Sequence, residues 1–146
     1  MKIKYEGAGC LVFHKDNDTG EISLLLGLRQ SGVWSIPGGG REKVDLAQTE
    51  EQTAKNNALR ELEEELRIKV RRPSVVRRIK TYKIPFFRFD IFGVRLAHKI
   101  TITKWTEFRR VRWFSINELS SIKLHWLVNN ELDSLIEYMN RKNDSQ

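Results

Sequence analysis

The sequence predicts an α/β fold in which a mixed β-sheet is held between helices. Three observations point there. Residues 8–14 (AGCLVFH) and 22–28 (ISLLLGL) are near-continuous apolar runs, as expected of central strands buried on both faces. Segments near 74–84, 86–97, 99–105 and 111–114 are rich in Val, Ile, Phe, Tyr, Trp and Thr, and read as further strands. Two stretches, about Thr53–Leu66 and Trp126–Arg141, repeat apolar residues at helical spacing.

Along the chain, the turn-rich segment Lys15–Glu21 joins the first two strands. Trp34–Pro37 brings a short extended piece into a glycine loop, Gly38–Gly40. Residues 41–52 are polar and charged and read as a surface loop. Thr53 then suits a helix N-cap, and Ala58, Leu59, Leu62 and Leu66 form an apolar stripe. Asn117–Ser121 reads as one helical turn, and the final helix carries Val128, Leu132, Leu135 and Met139 on one side. The last five residues are expected to fray. No repeat, linker or low-complexity tract divides the 146 residues, so they read as one domain.

Composition narrows the function classes. No apolar stretch approaches the roughly 20 residues of a membrane span, so no membrane partner is expected. The N-terminus, Met1–Glu6, lacks the apolar core of a secretory signal. The lone Cys10 cannot form an internal disulfide, which suits a cytoplasmic location, and its apolar setting marks it as a core residue. Charge is unevenly laid out. Between Glu42 and Glu65, eight acidic residues face three basic ones; from Arg67 to Arg112, 15 Lys or Arg face only Asp90 and Glu107. A basic flank beside an acidic, cation-binding helix suits an anionic substrate.

The chemistry concentrates in Arg60-Glu61-Leu62-Glu63-Glu64-Glu65. Glu61, Glu64 and Glu65 share a helix face through i, i+3 and i+4 spacing, with the apolar stripe adjoining and Glu63 pointing to solvent. Hard divalent cations relieve the repulsion of carboxylates crowded in this way. The upstream glycines let backbone approach a ligand or metal closely. Elsewhere the signals are structural: His14, His98 and His125 lack ligand spacing, and Trp105, Trp113 and Trp126 read as core. Tyr82, Phe86 and Phe87 are alternatives for stacking on a base, against a default role in packing the sheet.

Trp34-x-x-Pro37-Gly-Gly, followed by Arg60-Glu61-Leu62-x-Glu64-Glu65-x-Arg67-Ile68, resembles the Nudix hydrolase family. Leu24–Arg29 and Arg112-Trp113-Phe114-Ser115-x-x-Glu118-Leu119 extend the resemblance over roughly Gly7 to Leu135. The family box is Gly, five residues, Glu, seven residues, then Arg-Glu-U-x-Glu-Glu-x-Gly-U, with U bulky and apolar. Two departures stand out. The first box Glu falls on Gln52 and the box Gly on Leu46, with the glycines about seven residues upstream, so residues 43–52 hold an insertion. Arg67 replaces the second box Gly, where a left-handed residue is expected.

The resemblance implies a single-domain α/β/α sandwich and a pyrophosphohydrolase using Mg²⁺, with Mn²⁺ as a possible substitute. It assigns Glu61, Glu64 and Glu65 to the metal, with the Gly38 carbonyl and Glu107 as further ligands. Arg60 would orient the carboxylates, and Glu61 or Glu64 would take the proton from the attacking water. Arg29, Gly39 and Gly40 are the expected substrate contacts. The implied substrate is a nucleoside diphosphate derivative: a nucleoside triphosphate, a dinucleoside polyphosphate or a nucleotide sugar. Two alternatives stay open, removal of pyrophosphate from an RNA 5′ end and a non-catalytic nucleotide-binding regulatory module. Monomer and homodimer are both compatible with the sequence.

Overall fold

The first apolar run becomes the middle of the sheet. The computed structural model of the chain describes residues 5–146, so the reading of the N-terminal segment falls mostly on residues 1–4, outside them. In order come β1 (Tyr5–Lys15), β2 (Ile22–Leu28), β3 (Trp34–Ser35), β4 (Gly38–Gly40), α1 (Glu50–Leu66), β5 (Arg77–Ile84), β6 (Phe87–Arg95), β7 (Arg110–Ser115) and α2 (Trp126–Arg141). The sheet runs β3-β2-β1-β6-β5, with β4 on β1 and β7 on β2. β1 and β6 are parallel, from Tyr5 opposite Phe87 to Phe13 opposite Arg95, and the other pairs are antiparallel. The mixed sheet expected from the sequence is therefore present.

Each face of the sheet carries a helix. Ala8, Cys10 and Val12 of β1, with Leu25, Phe92 and Val94, pack against Ala54, Ala58, Leu62 and Leu66 of α1. Leu11 and Phe13 point the other way and join Leu24, Leu26, Ile91 and Phe114 against Leu127, Val128, Leu135 and Met139 of α2. Side chains alternate across a strand, so only an unbroken apolar run can serve both layers. Burying each of these leucines contributes about 2 kcal/mol.

The structure differs from the sequence reading at several element boundaries. α1 begins at Glu50, because Thr49 is the N-cap and accepts a hydrogen bond from the Gln52 N–H at 3.1 Å. Thr53 folds back instead, donating to the Thr49 carbonyl and accepting from the Ala47 N–H, both at 2.9 Å. The expected loop 41–52 is thus shorter, and it contains a 3-10 turn at Lys43–Asp45. Gly38–Gly40 is a strand rather than a loop. Phe86 is not part of a strand: it lies at φ 69° in the Pro85–Phe86 turn between β5 and β6. Residues 99–105 form no strand; Ile102 packs on the α1 side of the core, and the Ile100 carbonyl accepts from the Trp113 indole N–H at 2.8 Å.

Residues 142–146, expected to fray, make contacts with the rest of the chain: the Arg95 guanidinium donates to the Lys142 and Asn143 carbonyls, and Gln146 bonds the Arg72 backbone. One further expectation is corrected. Trp126 and Trp105 are not core residues, being 45% and 36% exposed: Trp126 is the first residue of α2 and Trp105 lies in the loop between β6 and β7. Cys10 is fully buried as expected.

Candidate active site

One face of α1 lies against the glycine strand. Asn57 Nδ2 donates to the carbonyls of Gly39 and Gly40 at 3.2 and 3.4 Å, and Arg60 Nη2 donates to that of Gly40 at 3.0 Å. The Gly38 N–H donates to Glu65 Oε1 at 2.7 Å. A Cβ on Gly39 would come within 2.7 Å of the Glu61 carboxyl group, so only glycine lets that carboxylate rest on the strand. Close approach is what requires glycine at this position. None of the three strand glycines has a positive φ.

Arg60 gathers the acids. Its Nη1 donates to Glu61 at 3.0 Å and to Glu64 at 3.1 Å, while Nε and Nη2 grip Asp45 at 2.8 and 2.9 Å. Glu42 adds a longer ion pair of 3.3 Å. Asp45 is buried, and although burial alone would raise its pKa, the Arg60 and backbone hydrogen bonds leave it below the usual carboxylate range. The acid expected in the box falls on the exposed Gln52; the buried loop acid that holds Arg60 by two hydrogen bonds is Asp45.

Glu65 is 1% exposed. Burial pushes its carboxyl up to about 7; Arg29 and the Gly38 N–H oppose this, while Glu107, within hydrogen-bonding reach, and Glu61 reinforce it. Glu61 is raised as well, chiefly by burial. Glu107 reaches this position because its loop hangs on the end of α1. The Thr106 N–H and Oγ1 donate to the Glu65 and Glu64 carbonyls at 2.9 and 3.1 Å, and Glu107 follows at φ 68°. Glu64 is the exposed member of the set.

Glu61, Glu65 and Glu107 thus come together, with Glu64 beside them on Arg60. The Gly38 carbonyl, expected at a metal, instead faces Arg29 Nη2 at 3.4 Å. Among the described residues, no group of three or more His, Cys, Asp or Glu side chains stands in positions that could hold a metal ion. The donor chemistry nevertheless fits a hard divalent cation. Every candidate ligand atom is oxygen, and two guanidiniums, Arg29 and Arg60, face six carboxylates.

Arg29 stands between this cluster and a cleft of about 420 Å³. It donates to Glu65 at 3.1 Å and to the Ile36 carbonyl at 3.2 Å, and lies over the Phe108 ring. Gly38 and Gly39 form part of the cleft floor, and Tyr5, Phe87, Phe89 and Trp126 supply aromatic walls. Of the expected stacking residues, Phe87 lines the cleft and Tyr82 supports it edge-on against Trp126, whereas Phe86 is absent from its lining. His125 caps α2 by accepting from the Leu127 N–H through Nδ1; burial and Arg29 lower its pKa, keeping that nitrogen an acceptor. Gly40 lies outside this cleft.

Sequence reasoning missed Asn57, Asp45, Tyr5, Phe89 and His125. Asn57 had a signal, since residues 57, 60, 61, 64 and 65 share one helical face. Asp45 had none, as its partner is 15 residues away. The expected basic surface is partly consumed internally: Arg78 and Arg88 pair with the buried Asp90, Lys80 with Glu131 and Arg112 with Glu118, while Arg95 holds the C-terminal residues.

The site thus consists of a helix of crowded carboxylates laced to a glycine strand, with an aromatic cleft alongside. The chain belongs to the NUDIX domain family, whose family model matches residues 5–137. No curated protein matches the chain. Solved structures share its fold. The NUDIX domain of Shewanella oneidensis NrtR, complexed with ADP ribose, superposes with a TM-score of 0.73 at 15% identity, covering 95% of this chain and 90% of that one. An Ap4A hydrolase from C. elegans gives 0.64 at 17% identity, covering 92% and 97%. A MutT/nudix family protein from Enterococcus faecalis gives 0.64 at 12%, covering 79% of this chain. The chain spans only 45% of that last protein's length.

Proposed function

We propose that this chain is a metal-dependent pyrophosphohydrolase that cleaves the diphosphate bridge of a nucleoside diphosphate derivative. The observation that carries this reading is the meeting of Glu61, Glu65 and Glu107 beside the glycine strand, with Glu64 one step away on Arg60. Glu61, Glu64 and Glu65 would hold Mg²⁺ or Mn²⁺. When bound, the cation supplies Lewis acidity that lowers the pKa of water and offsets phosphate charge. Attack of water on one phosphorus forms a new P–O bond and breaks the bridging one. The electrons of the broken bond leave with the departing phosphate, and the proton passes to Glu61 or Glu64. Arg60 keeps both carboxylates turned toward the strand, and Arg29 offers its charge at the cleft mouth. The ADP ribose and Ap4A named for two relatives each contain such a bridge, which supports the reading.

The test is phosphate and nucleotide release from a substrate panel with Mg²⁺ or Mn²⁺. Glu64→Gln and Glu65→Gln should each lower kcat at least about 100-fold. Activity that survives both substitutions removes this site.

A binding-only module is the second reading, favoured by the ion pairs that tie Glu64 to Arg60 and Glu65 to Arg29. It expects saturable binding of ADP ribose by calorimetry with no turnover of any panel member. An RNA 5′ end receives less support, because Arg78, Arg88, Arg95 and Arg112 are committed within the chain.

A further inference from the structure

Leu25 and Arg29 both reach toward α1, and alternation along β2 places Gly27 between them, where it leaves a notch in that face of the sheet. The ring of Phe108, from the loop before β7, fills the notch: a Cβ on Gly27 would come within 2.4 Å of it. Phe108 is buried and belongs to the core on that side. Its ring carries the Arg29 guanidinium, whose Cζ lies 4.4 Å from the ring centroid. From there Arg29 donates to Glu65 at 3.1 Å and to the carbonyls of Ile36 and Gly38 at 3.2 and 3.4 Å, and it lines the aromatic cleft.

The ring is held in place by what surrounds it in sequence. Thr106 donates to two carbonyls in the last turn of α1, and the Arg109 N–H donates to the Leu28 carbonyl at 2.8 Å. The Trp105 indole N–H donates to the carbonyl of Phe108 itself at 3.1 Å. A guanidinium bonds through its edge and leaves its flat faces open, so an aromatic platform fixes it without consuming a donor. An unfilled notch would let this long side chain settle onto the sheet, away from the cleft.

Resting on the reading of this cleft as a diphosphate site, we propose that Phe108 is a positioning residue for Arg29. Seated on Gly27, it props the guanidinium at the cleft mouth, where its charge meets the phosphates of the substrate. Phe108 is absent from the cleft lining, so it acts through Arg29 alone. The loop that brings Glu107 to Glu65 thus also sets the pose of the cation opposite, through the very next residue.

The experiment is a double-mutant cycle of Phe108→Leu and Arg29→Gln, read as calorimetric binding of ADP ribose, ADP and ATP in EDTA. Leucine keeps the notch filled with apolar atoms and offers no ring face. With Arg29 present, Phe108→Leu should weaken binding about fivefold. With Arg29→Gln already in place, it should change binding less than about twofold. In steady-state assays with Mg²⁺ the same substitution should raise KM more than it lowers kcat. Gly27→Ala is a second route, because its methyl group displaces the ring while Phe108 remains; it should show the same loss and the same dependence on Arg29. Equal losses on both backgrounds, or no loss on either, overturn the role of Phe108 and leave the hydrolase reading standing. Coupling in a protein that turns over no substrate upholds the role and removes the hydrolase reading alone. A wild type that binds none of the three nucleotides removes both.

Discussion

Glu65 couples the site to the stability of the whole chain. Its carboxyl is pushed up to about 7 in the folded state, above the roughly 4.3 of an unfolded glutamate. The folded protein therefore holds this proton more tightly than the unfolded chain. The resulting stability is fully present below about pH 4 and is lost as pH rises through 7. With metal removed by EDTA, the urea midpoint of wild type should fall from pH 5 to pH 8 relative to that of Glu65→Gln. The difference should reach about 3 kcal/mol at most, and parallel pH curves for the two proteins would contradict it. Arg67 offers a second residue-scale test. It sits at φ 60° as the C-cap of α1, a conformation costing a side-chain-bearing residue about 1 kcal/mol. Arg67→Gly should raise stability by about that amount in urea titrations, with kcat unchanged.

At the scale of the element, α1 is a plate bolted to the sheet at both ends of its polar face. Asn57 and Arg60 reach the carbonyls of β4, and Asp45 anchors Arg60 from the preceding loop. Asp45→Ala leaves Arg60 without its two-pronged partner and should cost about 2 kcal/mol. Because Arg60 also orients Glu61 and Glu64, kcat should fall along with the unfolding midpoint. A stability loss with unaltered kcat would show that Arg60 holds its pose without the loop. The carboxylate face itself was legible in the sequence, since helical periodicity brings residues four apart onto one side. Where the helix begins was not. Thr49 and Thr53 have the same capping chemistry, and the choice rests on Thr53 being drawn back to Ala47 and Thr49. Residues 99–105 show the converse: β-forming residues became a loop, since strand propensity is a weak preference that packing overrides.

For the molecule as a whole, the C-terminal residues close a seam that the sequence did not announce. Arg95, on a central strand, reaches the carbonyls of Lys142 and Asn143, the Lys15 carbonyl and Asn17. Deleting residues 142–146 removes two of those acceptors from a buried guanidinium and should lower stability by about 2 kcal/mol in thermal unfolding. An unchanged midpoint would mean that water replaces them without loss. The aromatic cleft also belongs to this scale. It draws Tyr5 from the first strand, Phe87 and Phe89 from the sixth, and His125 and Trp126 from the start of the last helix. No window of sequence contains more than two of these five residues at short spacing.

The sequence by itself determined the sheet between two helices and the helix face that carries Glu61, Glu64 and Glu65. Both follow from local periodicity, of two in a strand and 3.6 in a helix, and from which positions are apolar. Only the tertiary structure decided that Asp45 partners Arg60, that Glu107 meets Glu65, and that Tyr5 and Trp126 wall one cleft. Those choices join residues from 15 to more than 100 positions apart, and they depend on how strands and loops pack in space, which no local pattern records.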